Sequence, residues 1–343
     1  MTQPIKIGIV GLGRAGWGMH CKELQGREDK FEIVAACDIL SERRERMVER
    51  YGCRVYERIE DLIADPDVEL VDIATRSNDH YAHASAALVA GKHVLVEKPM
   101  CASYAEAVQL RDDAAKSPSG QLYVRHNRRF DPDFLHVQDI IASGILGDVY
   151  EIRLARHGYQ RRDDWQTIKA FGGGQLLNWG PHVVDHALRF LESPVVNQYS
   201  DLKRVAAVGD AEDHLKIVLK GANGRIVDLE ISGGVALGAP TYQVFGTRGS
   251  LILIGKEIAL KYLDPAVTLE ARKADPGTPG ETFGNREALP WIEETIPVWA
   301  GNNYIIWDHL YAAIREGVPF PVTLDESIEV MRVLSAAREG TEF

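Results

Sequence analysis

The stretch Ile5–Val10 is an unbroken apolar run, and Gly11-Leu12-Gly13-Arg14-Ala15-Gly16 follows it with no spacer. An apolar run of this kind suits a parallel strand buried on both faces. A chain that leaves such a strand through three glycines at this spacing is set up to turn tightly and enter a helix. Gly11 permits the turn, Gly13 lets the backbone approach a pyrophosphate, and Gly16 lets helix and strand pack closely. The helix N-terminus then faces the phosphates. Phe31–Cys37 reads as the second strand and ends at Asp38, where a carboxylate hydrogen-bonds the hydroxyls of an adenosine ribose. That carboxylate also repels a 2′-phosphate, so the pattern predicts NAD in preference to NADP. Arg43 and Arg44, a turn further on, are the groups that would reach a 2′-phosphate.

Alternation of strand and helix continues. Ser41 is placed to cap a charged helix over 42–50. Residues 70–74 read as a buried strand, 81–90 as a helix stopped by Gly91, 93–96 as a strand, 104–115 as a helix and 122–124 as a strand. Repeated βα units with right-handed crossovers give a doubly wound parallel sheet. The pattern changes after Asn127. A helix over 133–142 ends at Gly144, and longer strands then dominate: 148–157, 214–219, 225–231, 242–245 and 250–254. Gly221-Ala222-Asn223-Gly224 is a hairpin signal between two of them. Residues 265–299, rich in Pro, Gly and Trp, are expected to be loop, and helices close the chain near 304–316 and 325–337. The predicted class is α/β, a parallel-sheet domain over residues 1–127 followed by an α+β domain with a large, mostly antiparallel sheet over 128–343.

At 343 residues, two domains are the natural division. The apolar fraction of 45% and charged fraction of 26% belong to a water-soluble globular chain. A formal charge of −11 with no Lys/Arg block argues against a nucleic-acid partner. No apolar run approaches the roughly 20 residues that cross a bilayer. The N-terminus enters a strand at once, without a signal-peptide layout. Cys21, Cys37, Cys53 and Cys101 form no CxxC pair, and no HExxH motif is present. A cytoplasmic protein without a structural metal is therefore expected.

Two further stretches carry chemistry. His93-Val94-Leu95-Val96 leads directly into Glu97-Lys98-Pro99, which places Lys98 just past the carboxyl end of a parallel strand, where open α/β sheets bind ligands. An ammonium there can donate to a substrate oxygen and stabilise developing alkoxide charge. Glu97 is placed to orient a ribose or the lysine. Downstream comes Gly172-Gly173-Gly174-Gln175-Leu176-Leu177-Asn178-Trp179-Gly180-Pro181-His182, closing with Asp185. Asn178, His182 and Asp185 fall at i, i+4 and i+7, one face of a helix, while Val184, Leu188 and Leu191 suit a core. His182 is the natural proton acceptor, because an imidazole titrates near neutrality. The glycines imply close approach to something.

Together these pieces resemble the Gfo/Idh/MocA family of oxidoreductases. The resemblance rests on Gly11–Gly16, Ile73-Ala74-Thr75 with His80, the run from Gly91 to Pro99, Asn127-Arg128-Arg129-Phe130-Asp131-Pro132, and Gly172 to Asp185. It implies a Rossmann domain and a second domain whose sheet forms the substrate wall and the oligomer face. It also implies a nicotinamide near Lys98 and a substrate between Lys98 and His182. Cofactor contacts would then come from Gly11, Gly13, Arg14, Ala15, Gly16, Asp38, Thr75, Arg76, His80, Glu97, Lys98 and Asn127. Arg76 stands where the family has proline, and its role is open between a phosphate contact and plain surface. The family pattern also has Asp where this chain has Asn178. Asparagine can hold a hydroxyl but cannot accept a proton, so His182 and Lys98 must share the work.

The substrate class implied is a sugar, a cyclitol or a derivative, held by Asn178 and Asp185 with Trp165 and Arg161 from the turn before the glycine triplet. Three activities fit: an NAD-dependent dehydrogenase, an enzyme that keeps NAD bound and oxidises its substrate transiently, and a non-catalytic sugar or nucleotide sensor. Both faces of the hairpin strand near 215–220 include apolar residues: Leu215, Ile217 and Leu219 on one, Val218 between Lys216 and Lys220 on the other. With the resemblance, this predicts a homodimer or homotetramer.

Overall fold

The computed structural model describes residues 3–278, 280 and 287–343. Six strands build the first sheet: β1 (Ile5–Val10), β2 (Phe31–Cys37), β3 (Arg54–Tyr56), β4 (Leu70–Ile73), β5 (His93–Glu97) and β6 (Leu122–Arg125). Their order is β3-β2-β1-β4-β5-β6, and every pairing is parallel. Ile7, Ile9, Leu70, Ile73, Val94 and Val96 are fully buried, as a sheet covered on both faces requires. The strand order reverses between β1 and β4, and ligands bind outside the carboxyl ends of the strands at such a switch point. Parallel strands put all their carboxyl ends on one edge. Gly11 after β1, Asp38 after β2, Thr75 after β4, Lys98 after β5 and Asn127 after β6 therefore share that edge.

Two local expectations change here. The helix Ser41–Tyr51 starts at Ser41, whose side chain caps nothing; Asp38 Oδ1 instead accepts from the Leu40 N–H at 3.0 Å. Strand β3 and the helix Ile59–Ala64 fill a stretch to which the sequence assigned no element.

The second sheet has eight strands: β7 (Val149–His157), β8 (Val195–Lys203), β9 (His214–Gly221), β10 (Ile226–Ser232), β11 (Tyr242–Gly246), β12 (Gly249–Ile254), β13 (Glu257–Leu263) and β14 (Trp291–Pro297). They run in the order β14-β13-β12-β11-β7-β10-β9-β8, antiparallel except for β7 with β10. One face, with Leu215, Ile217, Leu219, Leu229 and Ile231 buried, packs under the helix Gly180–Leu191. On the opposite face Lys216 and Lys220 flank Val218, with Asp228 and Arg153 paired alongside. Strand β14 corrects the expectation of loop across 265–299. Ile292 and Ile296 point toward the covered side, and Tyr262 Oη donates to Glu294 Oε1 at 2.5 Å, which ties this edge strand to β13. Its short alternation was hidden among the Pro and Trp around it.

The chain then returns to the first sheet. The helix Ile305–Arg315 buries Ile306, Trp307, Leu310 and Tyr311 against Ile5, Ile7 and Phe31. Trp307 meets the Phe31 ring edge-on at 5.5 Å, and its Nε1 donates to Glu23 Oε2 at 2.8 Å. The last helix, Leu324–Arg338, opens with a reciprocal Thr323/Glu326 capping box. Removing a fully buried indole leaves a cavity and takes one of two donors from the Glu23 carboxylate, which keeps Arg125. We expect Trp307→Ala to lower unfolding free energy by about 3–5 kcal/mol. Urea titration checks this, and a loss below about 1 kcal/mol would show that the returning helix is peripheral to the first core.

Candidate functional site

Gly11 has φ +90°, and a Cβ there would lie 2.7 Å from the Ala74 carbonyl oxygen. A Cβ on Gly16 would overlap the Gly11 carbonyl. Gly13, by contrast, faces open space apart from Arg43 Nη1 at 3.7 Å. Among the described residues the N–H groups of Gly13, Arg14 and Ala15 reach no acceptor. A tight turn, an open backbone and free donors at a helix entrance fit a dinucleotide pyrophosphate. Asp38 is anchored beside them: Oδ2 accepts from Leu12 N at 2.8 Å and from Arg43 Nη1 at 3.2 Å. Arg44 donates to the Asp38 carbonyl at 2.6 Å.

On the neighbouring strand end, Lys98 donates through Nζ to the Asn178 carbonyl at 2.9 Å. Burial lowers its pKa, Glu97 opposes that, and Arg14 and Arg128 lower it further, to about 8. Glu97 itself is buried and accepts from His20 Nε2 at 2.9 Å, Arg125 Nη1 at 2.8 Å and the Lys98 N–H at 3.1 Å. Burial opposes its charge, but Arg125 and His20 hold it well below the usual carboxylate range. His20 Nδ1 also reaches Asp72 Oδ2 at 2.7 Å, so both ring nitrogens face carboxylates. Burial disfavours the imidazolium, yet Asp72 and Glu97 outweigh burial and raise His20 to about 9. Arg125, fully buried, pairs in addition with Glu23. Glu97 thus orients the lysine from beneath.

The helix Gly180–Leu191 brings His182 to the same place. The helical turn Gln175–Asn178 breaks at Trp179 and restarts with Pro181 in its first turn, so Asn178 and His182 sit on successive short helices. Asn178 Oδ1 accepts from Gln166 Nε2 at 3.2 Å, which leaves its amide N–H groups as donors. Gln166 was not legible beforehand; its own Oε1 accepts from Arg162 at 2.5 Å. His182 is buried, and its Nδ1 has no partner among the described residues. Burial, then Lys98, Arg128 and His126, push its pKa well below the ordinary value, so it is neutral and able to accept a proton at pH 7. The Trp179 ring lies 5.5 Å from that imidazole. Against Trp179 lie the guanidiniums of Arg128, at 4.4 Å, and Arg156, at 3.0 Å.

Several expected contacts take other forms. Asp185 is buried on a bidentate pair with Arg129, which also holds Glu326; its carboxylate braces the helix and is not free for a substrate. His80 is buried with its two nitrogens on the Pro99 and Thr75 carbonyls, at 2.6 and 3.2 Å, so it supports the Lys98 turn instead of offering a ring atom to cofactor. Thr75 Oγ1 meets His83 at 3.1 Å, and Asn127 is buried at the end of β6. Arg76 lies over the Phe171 ring at 4.4 Å and is exposed. Arg161 is exposed, and Trp165 is half-buried in a short 3-10 turn. The close approaches that the glycine triplet implied are to protein. A Cβ on Gly172 would sit 3.4 Å from Asn78 N, one on Gly173 2.6 Å from Ile168 N, and one on Gly174 inside the Glu212 carboxylate.

A fingerprint turn at a sheet switch point, with a lysine and a neutral histidine in the adjoining cleft, defines a Rossmann-type oxidoreductase. The family described as "Oxidoreductase family, NAD-binding Rossmann fold" matches residues 5–126, and the GFO/IDH/MocA C-terminal domain matches 134–252. The chain belongs to the Gfo/Idh/MocA family. It is 30% identical over 355 aligned positions to scyllo-inositol 2-dehydrogenase (NADP(+)) IolW of Bacillus subtilis, covering 98% of this chain and 94% of that one. The solved oxidoreductase yvaA of Bacillus subtilis superposes with a TM-score of 0.84 at 25% identity, over 99% of this chain and 96% of the other. An NAD-binding protein from Listeria innocua gives 0.80 at 25% identity, over 98% and 95%.

The His20 cluster predicts a pH dependence. A histidine raised from about 6.5 to about 9 stabilises the fold fully below its unfolded pKa and loses that contribution as pH rises through 9. We expect unfolding free energy to fall by roughly 3 kcal/mol more in the parent than in His20→Gln between pH 6.5 and 10. Urea titrations of both proteins at the two pH values check it. Parallel pH profiles would remove the buried imidazolium from the account.

Proposed function

We propose that the protein is an NAD(P)-dependent dehydrogenase that oxidises a carbinol of a sugar, cyclitol or derivative, or reduces the corresponding ketone. The observation that carries this reading is the placement of Lys98, fixed on the Asn178 carbonyl at 2.9 Å, in one cleft with His182 beside the open fingerprint turn. Gly13, Arg14 and Ala15 would hold the pyrophosphate, Asp38 the adenosine ribose, and the bound nicotinamide supplies hydride acceptance or donation. Lys98 donates to the substrate oxygen and steadies negative charge there. His182, neutral at pH 7, takes the hydroxyl proton at one of its ring nitrogens. Asn178, its Oδ1 already held by Gln166, orients a substrate hydroxyl through its amide N–H groups. The similarity to an inositol dehydrogenase supports the polyol class.

We expect Lys98→Met and His182→Asn each to lower kcat/KM by roughly 10²–10⁴-fold in assays of NAD(P) reduction across a polyol panel. Asn178→Asp should stay within about tenfold while changing the pH profile. If Asn178→Asp instead creates a strong dehydrogenase from a protein with no turnover, bound-cofactor chemistry or sensing takes first place.

The cofactor proposed is NAD rather than NADP. Asp38 keeps its carboxylate at the ribose position, and Arg43, the cation nearest Gly13, is tied to that carboxylate. We expect calorimetric titration to give NADH at least tenfold tighter binding than NADPH. Equal affinities would mean that Arg43 releases Asp38 and takes a 2′-phosphate.

A further inference from the structure

The wall of the cleft beyond His182 is cationic in a way that the dehydrogenase chemistry does not use. Arg128 leaves the turn after β6, and Arg156 is the next position along β7 on the side where Ile152 and Leu154 are buried. Both guanidiniums lie against the Trp179 ring, whose other neighbour is the His182 imidazole. Arg128 has a carboxylate, Asp131 at 2.7 Å. The Arg156 side chain is exposed and forms no ion pair or hydrogen bond among the described residues. Asp131 and Asp133 lie close enough to favour the Arg156 charge, Asp131 already paired with Arg128, while Glu97 is committed to His20 and Arg125, and Asp185 to Arg129. Partial desolvation and the facing Arg128 both work against the Arg156 charge and bring its pKa down to about 10. Two guanidiniums share one aromatic ring beside His182, and the side chain of Arg156 has its hydrogen-bond donors free for an added anion.

The cofactor phosphates are not that anion. Their place is the fingerprint turn at the end of β1 in the first sheet, whereas Arg156 stands on β7 of the second sheet, against Trp179. The inference rests on the reading of this cleft as a polyol site. We propose that the polyol carries an oxyanion, a carboxylate or a phosphate ester, that pairs with Arg156 and Arg128 across the Trp179 platform while its carbinol faces Lys98 and His182. A guanidinium matches either group with two parallel N–H···O bonds. Arg156 is then a specificity-determining residue, one that selects acidic over neutral sugars and takes no part in the proton or hydride transfer.

The test uses the full chain saturated with NADH and three probes: glucuronate, glucose 6-phosphate and neutral methyl glucoside. Calorimetry should show at least one acid binding about 10–100-fold more tightly than the neutral sugar, with an affinity that falls as salt rises. Arg156→Gln should abolish that preference without changing NADH affinity, and Arg156→Lys should restore part of it. The stronger of the two acids identifies the oxyanion. Equal binding of all three probes, failure of both acids to bind at millimolar concentration, or an unaltered preference in Arg156→Gln overturns the proposal. NADH formation from NAD with the same sugars separates the two readings. Acid-selective binding without turnover sinks the dehydrogenase and leaves the anion site. Turnover of neutral sugars that ignores Arg156 does the reverse.

Discussion

A carboxylate one residue before Lys98 holds much of this molecule in place. Glu97 is buried at the carboxyl end of β5, where an isolated charge would be prohibitively expensive. It persists because His20 from the fingerprint helix and Arg125 from β6 both donate to it. Those two groups are themselves held by Asp72 on β4, by Glu23, and through Glu23 by Trp307. Three strands of the first sheet, the fingerprint helix and the helix Ile305–Arg315 thus meet at one cluster. Taking away a single partner of such a cluster leaves an uncompensated buried charge, a change that typically costs about 3–5 kcal/mol. The arrangement also sets where Lys98 begins, because Glu97 Oε2 accepts the Lys98 N–H.

The electrostatics of the cleft follow from that cluster. Its carboxylates are engaged with His20, Arg125 and Trp307, while Lys98 and Arg128, the latter paired with Asp131, add positive potential at His182, and Arg14 adds to that at Lys98. A positive surrounding favours the uncharged forms of basic groups. Together with burial, the larger cause, it keeps His182 deprotonated at neutral pH and brings Lys98 near 8.

Much of this was legible in the sequence wherever the signal was local. The apolar run and glycines of β1, the acid after β2 and the run into Glu97-Lys98 each encode their geometry within a few residues, whereas Asn178 and His182, read as one helix face, fall on two short helices that break at Trp179. What escaped depends on partners far along the chain. Asp185 looked like a substrate ligand because its helix face was polar; Arg129, 56 positions earlier, takes its carboxylate. His80 looked like a cofactor contact until Pro99 and Thr75 were seen to occupy its ring. Gln166 and Arg156 carry no motif, and their importance lies only in what Asn178 and Trp179 bring beside them. Strand β14 escaped for a related reason: an edge strand needs only one good neighbour, and β13 is not recognisable from composition either.

The helix Ile305–Arg315 completes the packing of a sheet whose first strand ends at residue 10. Its indole closes over His20, Glu23 and Phe31, groups that are otherwise left facing water. On a ribosome, where domains ordinarily form as units from the N-terminus onward, the fingerprint half of this protein is made early but finished late. The cradle for the dinucleotide gains its full support only after nearly all of the substrate domain has emerged. The N-terminal sheet and the helix Ile305–Arg315 therefore share one core.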